Sequence, residues 1–149
     1  MEAFAAYLHF LCVFALCALL AAEFLLCNEH LQPGHLALLL RIDVGYLAAV
    51  GLSLVTGFLL ALADQKGAWF YFSNPLFWAK LALLLAVAGI SVFPTLTFLR
   101  WNRALALGRE RILGGREIVR VRRILASELA LMASVPLVAV LVARVVPTH

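Results

Sequence analysis

Seven ionisable side chains lie inside stretches of this sequence that are otherwise almost free of charge: His9, Glu23, Arg41, Asp43, Lys80, Arg100 and Glu128. In water such groups would decide little. In hydrocarbon each costs roughly 2.5–3.5 kcal/mol at mid-span, so an ionisable residue kept there marks a functional candidate. An imidazole in an apolar bundle can ligate haem iron, relay a proton or hydrogen-bond across helices. Carboxylates can relay protons, and a lysine ammonium can recognise an anionic carboxylate. Counting from the ends of the apolar runs sorts the seven into two layers. His9, about two turns inside the first run, and Lys80, just over one turn inside the third, share one side. Glu23, Arg41, Asp43, Arg100 and Glu128 share the other. At about 100° per residue, His9 and Glu23 fall within about 40° of one face. Asp43, Tyr46, Val50, Ser53 and Gly57 follow a similar line on the second run, and Lys80, Ser91 and Pro94 do so on the third.

These spacings define the candidates. Lys80, Glu23 and Asp43 are the catalytic candidates; His9 and Lys80 are the cofactor-binding candidates, with His9 the candidate ligand should the iron of haem b be bound. His9 is the one histidine inside an apolar run, since His30 and His35 fall in a loop and His149 at the end. A bis-histidine haem within one chain is therefore disfavoured. Five-coordinate haem on His9, haem shared across a homodimer, or no haem at all remain open. Each group also has a structural alternative. His9 can bond a neighbouring hydroxyl, and Lys80 can reach the interface or pair with Asp64. Arg41 and Arg100 suit interfacial anchors, Asp43 a pair with one of them, and Glu128 neutralisation of the nearby arginines. Cys12, Cys17 and Cys27 share one run without CxxC or zinc spacing and read as small apolar fillers. No phosphate-binding glycine loop, HExxH or GxSxG motif is present.

The elements that must hold these residues follow from composition. Of 149 residues, 65% are hydrophobic and 13% charged, with a mean hydropathy of +1.03. Soluble domains carry about 45–50% apolar and about 25% charged residues. A soluble globular domain, a disordered chain and a disulfide-stapled module are excluded. Spanning a bilayer takes about 20 apolar residues, and four runs qualify: about Ala3 to Cys27, Leu36 to Ala63, Pro75 to Leu99 and Ile124 to Val146. Lipid offers no partner to an unpaired amide and four strands close no barrel, so the runs are helices. The expected fold is all-α, a four-transmembrane-helix bundle forming a single domain over residues 1–149. Gln32-Pro33-Gly34, Gln65-Lys66-Gly67, Asn74-Pro75 and Gly114-Gly115 mark the breaks. The first run lacks a basic start and a cleavage site, which distinguishes it from a signal peptide.

Eight of the twelve basic residues lie at 100–123: Arg100, Arg103, Arg109, Arg111, Arg116, Arg120, Arg122 and Arg123. The positive-inside rule makes that segment a cytoplasmic loop and puts both termini on the outer, periplasmic side of a bacterial inner membrane. The loop with Glu29, His30 and His35 then faces inward. Trp69-Phe70-Tyr71-Phe72 with Phe77 and Trp78 reads as an outer aromatic belt, and Trp101 sits at the inner interface. Flanking spans make the arginines a membrane signal, with membrane lipids as partners and no nucleic acid. Ala49, Ser53, Gly57 and Ala61 form a small-residue strip that admits a close helix neighbour, from this chain, a second copy or a larger membrane complex.

At Tyr7-Leu8-His9, Glu23, Arg41-Ile42-Asp43, Thr56-Gly57, Asn74-Pro75-Leu76-Phe77-Trp78-Ala79-Lys80-Leu81, Pro94-Thr95 and Phe98-Leu99-Arg100, the sequence resembles a family of small four-helix bacterial membrane proteins grouped as a domain of unknown function. The likeness covers essentially the whole chain and implies topology. A looser resemblance is to the small membrane-embedded bacterial protoporphyrinogen oxidases, compact helical bundles associated with haem b. It implies His9 as axial ligand and Lys80 as a cation near the substrate, although the residues around them depart from that family. Three functions follow as expectations: haem or porphyrin binding through His9 with an oxidoreductase role, an accessory or assembly subunit of a membrane complex, and a proton or small-solute transporter relaying through Glu23, Asp43 and His9.

Overall fold

The computed structural model describes residues 2–28, 31–63, 73, 75–108 and 115–145, and side chains within them except at 2, 3, 61, 63, 76 and 135–145. Among the described residues four helices form: α1 (Glu2–Leu26), α2 (Pro33–Ala63), α3 (Pro75–Ala106) and α4 (Gly115–Val145). Segments Phe4–Leu26, Pro33–Leu60 and Phe77–Ala106 are each long and apolar enough to cross a membrane. Expectations placed on Glu29, His30, Asp64, residues 69–72, Asn74, Arg109, Arg111, Gly114 and His149 lie outside the described residues.

The helices outrun their apolar segments on the arginine side. Residues 100–106 continue α3, and 115–123 are already α4, so much of the expected loop is helical. Hydropathy reports which solvent a residue prefers. Arginine, leucine and glutamate favour the helix on either side of the boundary. Gly108 stops α3 by adopting φ 71°, with its amide donating to the Leu105 carbonyl. Pro75 occupies the first position of α3, as expected, and Pro33 likewise begins α2 rather than lying in the break before it.

Each helix packs on two others in ring order, α1 on α2, α2 on α3, α3 on α4 and α4 on α1, with α1 against α2 the most extensive contact. The centre holds Leu16, Leu20, Leu39, Tyr46, Val87, Phe98, Val121 and Leu125. The perimeter is apolar too: Phe14 is 72% exposed and Leu96 59%. Lipid tails match leucine in polarity, so helix association here draws on close packing and interhelical hydrogen bonds rather than on water exclusion. A Cβ at Gly45 would meet Leu19 at an ordinary contact distance of 3.6 Å, whereas one at Gly57 would stand 3.0 Å from His9. The small-residue strip of α2 is thus covered by α1 of the same chain, though the Ala61 side chain lies outside the description.

Candidate functional site

The two expected layers both exist, and they differ in construction. At the His9 level, α1 presents a half-buried imidazole to α2. His9 Nδ1 lies 3.1 Å from the Thr56 hydroxyl oxygen, and that hydroxyl lies 2.7 Å from the Leu52 carbonyl. A hydroxyl has one proton. Thr56 places it on Leu52, so in the neutral ring Nδ1 is the donor and Nε2 carries the free lone pair. Beneath the ring runs the α2 backbone at Gly57, where any side chain would collide with Cε1. Lys80, on α3, is near enough for its charge to act on His9. It is exposed, however, and does not share the buried stripe of Ser91 and Pro94. Face counting missed this because Lys80 stands so close to its helix end.

At the other level the groups converge from all four helices. Glu23 of α1, Asp43 of α2 and Glu128 of α4 are at most 1% exposed. Their charges act on one another, Asp43 and Glu128 both on Glu23 and Asp43 on Glu128. From α3, Thr95 donates to Asp43 Oδ1 at 2.8 Å. Tyr46 and Ser91 oxygens are 2.7 Å apart, and Ser91 places its proton on the Val87 carbonyl at 2.8 Å, so Tyr46 is the donor. Four carboxylate oxygens, Glu23 Oε1, Asp43 Oδ2 and both of Glu128, are buried without a hydrogen-bond partner among the described residues. Leaving an ionised carboxylate so placed costs several kcal/mol. A bound proton or cation removes that cost.

Two expected pairings give way here. Asp43 does not pair with Arg41 or Arg100. Arg41 is exposed, and Arg100 bonds Glu117 across the α3–α4 contact, where Trp101 Nε1 also donates to Glu117 Oε2 at 3.1 Å. Trp101 is buried, with its indole N–H turned to Glu117 of α4. Nor does Glu128 neutralise the arginine run. Five residues past Arg123, it faces the core, and neither of its oxygens has a partner among the described residues. The three catalytic candidates also separate, Glu23 and Asp43 at one level and Lys80 at the other. Thr56 and Thr95 are partners that residue typing passed over. The available signal was a hydroxyl placed to meet an intramembrane His or Asp, but which helix it meets is a tertiary fact.

His9 supplies a single nitrogen for a haem iron, with its ring set by a hydroxyl behind it, as histidine ligands usually are. No second histidine stands at that level among the described residues. The donor set therefore fits one axial position and not two. Among the described residues no group of three or more His, Cys, Asp or Glu side chains is disposed to hold a metal ion.

Apolar helices around a buried polar centre define a multi-pass helical membrane protein. The chain belongs to the family described as predicted membrane protein (DUF2214), which matches residues 1–146. Neither a curated protein nor a solved structure shows significant similarity to it.

Proposed function

We propose that this protein moves protons along the buried polar face of α2, with Glu23, Asp43 and Glu128 as the proton-holding centre and His9 as the terminal relay. The observation that carries this reading is the buried series Asp43, Tyr46, Ser53 and Thr56, which winds across about 140° of a single helix from the α3 side toward the α1 side. The series rises about 20 Å from the carboxylates to the hydroxyl that holds His9. Its longest step, Tyr46 to Ser53, is about 10 Å of rise and calls for a short chain of waters. Ser53 Oγ, buried and without a partner among the described residues, offers one of them a bond. The reading takes α4 as a fourth span over about 124–146, and the chain as one domain. The arginine side faces the cytoplasm of a bacterial plasma membrane, with both termini outside. Proteoliposomes holding a pH-sensitive dye test it. An acid step outside should acidify the lumen with the native protein and not with Glu128→Gln. Equal rates in native, Glu128→Gln and empty vesicles would dispose of it.

A second reading, haem b bound through His9 with an oxidoreductase role, is favoured by one detail: Nδ1 is engaged by Thr56 and the lone pair stands on Nε2. Haem would supply redox chemistry; His9 would hold the iron, and Lys80 would lie near a porphyrin carboxylate. Purified protein should then show a Soret band that His9→Ala abolishes. A colourless preparation that gains no band with haemin ends this reading.

A further inference from the structure

On the arginine side, Gly115, Arg116, Val119, Arg120 and Arg123 line an open cavity of about 560 Å³. At about 100° per residue, positions 116, 120 and 123 lie within about 60° of one another, so three guanidinium groups share one face of α4. All three residues are exposed. Arg120 is braced, its guanidinium carbon 5.1 Å from the centre of the Phe93 ring on α3. Arg122 turns the other way, over Phe24 of α1 at 5.0 Å, and takes no part in the cavity. The nearest carboxylate in sequence, Glu117, is engaged by Arg100 and Trp101. Among the described residues no carboxylate lines the cavity, and Arg100–Glu117 is the sole ion pair. Interfacial anchoring alone requires no such convergence. A scattered set of arginines would orient the chain equally well.

We infer that the Arg116–Arg120–Arg123 face of α4 is a seat for the phosphate of an anionic phospholipid headgroup. Guanidinium groups bind phosphate oxygens through paired N–H donors, and three around one concavity neutralise a phosphate more fully than one. Depth decides the source. Arg123 immediately precedes the apolar run that begins at Ile124, so a phosphate held there leaves its acyl chains beside the apolar part of α4. Val119 gives the cavity an apolar wall of the kind a glycerol backbone meets and a free phosphate does not use.

Native mass spectrometry of the detergent-solubilised full chain tests this, with phosphatidylglycerol, phosphatidylcholine and inorganic phosphate as probes. Phosphatidylglycerol should bind in preference to phosphatidylcholine. Arg116→Gln/Arg123→Gln should weaken it about 30-fold, from two basic contacts. Arg103→Gln, an exposed arginine outside the cavity, should change it less than twofold. The lysine pair, Arg116→Lys/Arg123→Lys, keeps charge without paired donors and should fall between. If the double glutamine variant fails to purify, Arg123→Gln alone gives the same comparison at about fivefold. Unchanged phosphatidylglycerol binding in the glutamine variants overturns the site. Displacement of the lipid by an equal concentration of inorganic phosphate overturns the lipid as its ligand.

Discussion

The His9 level and the carboxylate level solve the same problem, a polar group in a dry bundle, in opposite ways. At His9 two helices meet, the imidazole is clamped between the Thr56 hydroxyl and the Gly57 backbone, and packing is tight. At the carboxylates four helices contribute, hydrogen bonding is partial, and four oxygens are left without protein partners among the described residues. A satisfied group contributes to holding helices together, at about 0.6–2 kcal/mol per interhelical bond. An unsatisfied one lowers stability unless something binds it. On the proton-relay reading, the contrast makes the carboxylate level the place of proton uptake and release and gives the relay at His9 a ring already held in place.

The largest test of that contrast is Gly57→Leu. A Cβ alone would stand 3.0 Å from His9, so a leucine overfills the space between α1 and α2 at that level. Overpacking of this kind costs about 1–3 kcal/mol or more, and thermal unfolding in detergent should register a large drop. Gly51→Leu, on the same helix with nothing within 4 Å, should leave the midpoint unchanged or slightly raised. If both variants unfold alike, the tight contact at His9 is not where α1 and α2 are held.

Next in size is Thr95→Val. It removes the one side-chain donor given to Asp43 and leaves both oxygens of a buried carboxylate bare, at about 1–3 kcal/mol. Glu128→Gln should run against it, because the amide keeps the volume and cannot ionise, so stability should hold or rise while proton uptake is lost. A stability loss in Glu128→Gln as large as that in Thr95→Val would mean that Glu128 is a bonded structural group and not a vacant one.

These outcomes rest on features that were unequally legible in the sequence. The apolar runs announce the helices because bilayer thickness sets a length that few other contexts need. The polar face of α2 was legible as well, since Asp43, Tyr46, Val50 and Ser53 repeat at helical spacing and all four are buried. Helix ends were not, because Arg116 to Arg123 prefer water yet still form helix. Charge partners were least legible. Asp43 has Arg41 two residues away and Arg100 expected at the same level, but it bonds Thr95, fifty-two residues away, because α2 and α3 bring those faces together and Glu117 takes Arg100. Burial of Glu128 likewise depends on which face of α4 turns inward, and the arginines before it gave the opposite hint.

The smallest expected effects separate holding His9 from using it. Thr56→Val deletes one interhelical bond and should lower stability by about 0.6–2 kcal/mol, a shift of a few degrees at most. It also frees Nδ1, so on the proton-relay reading the rate should fall although every carboxylate is intact. Lys80→Ala removes an exposed side chain and should leave unfolding within about 0.5 kcal/mol of native. Its value lies in the split between the two readings of His9. A relay loses only a distant repulsive charge when Lys80 goes and should retain its flux. A porphyrin held by its carboxylate near that ammonium should bind more weakly, so a Lys80→Ala variant with native flux and no porphyrin defect would place Lys80 outside either function.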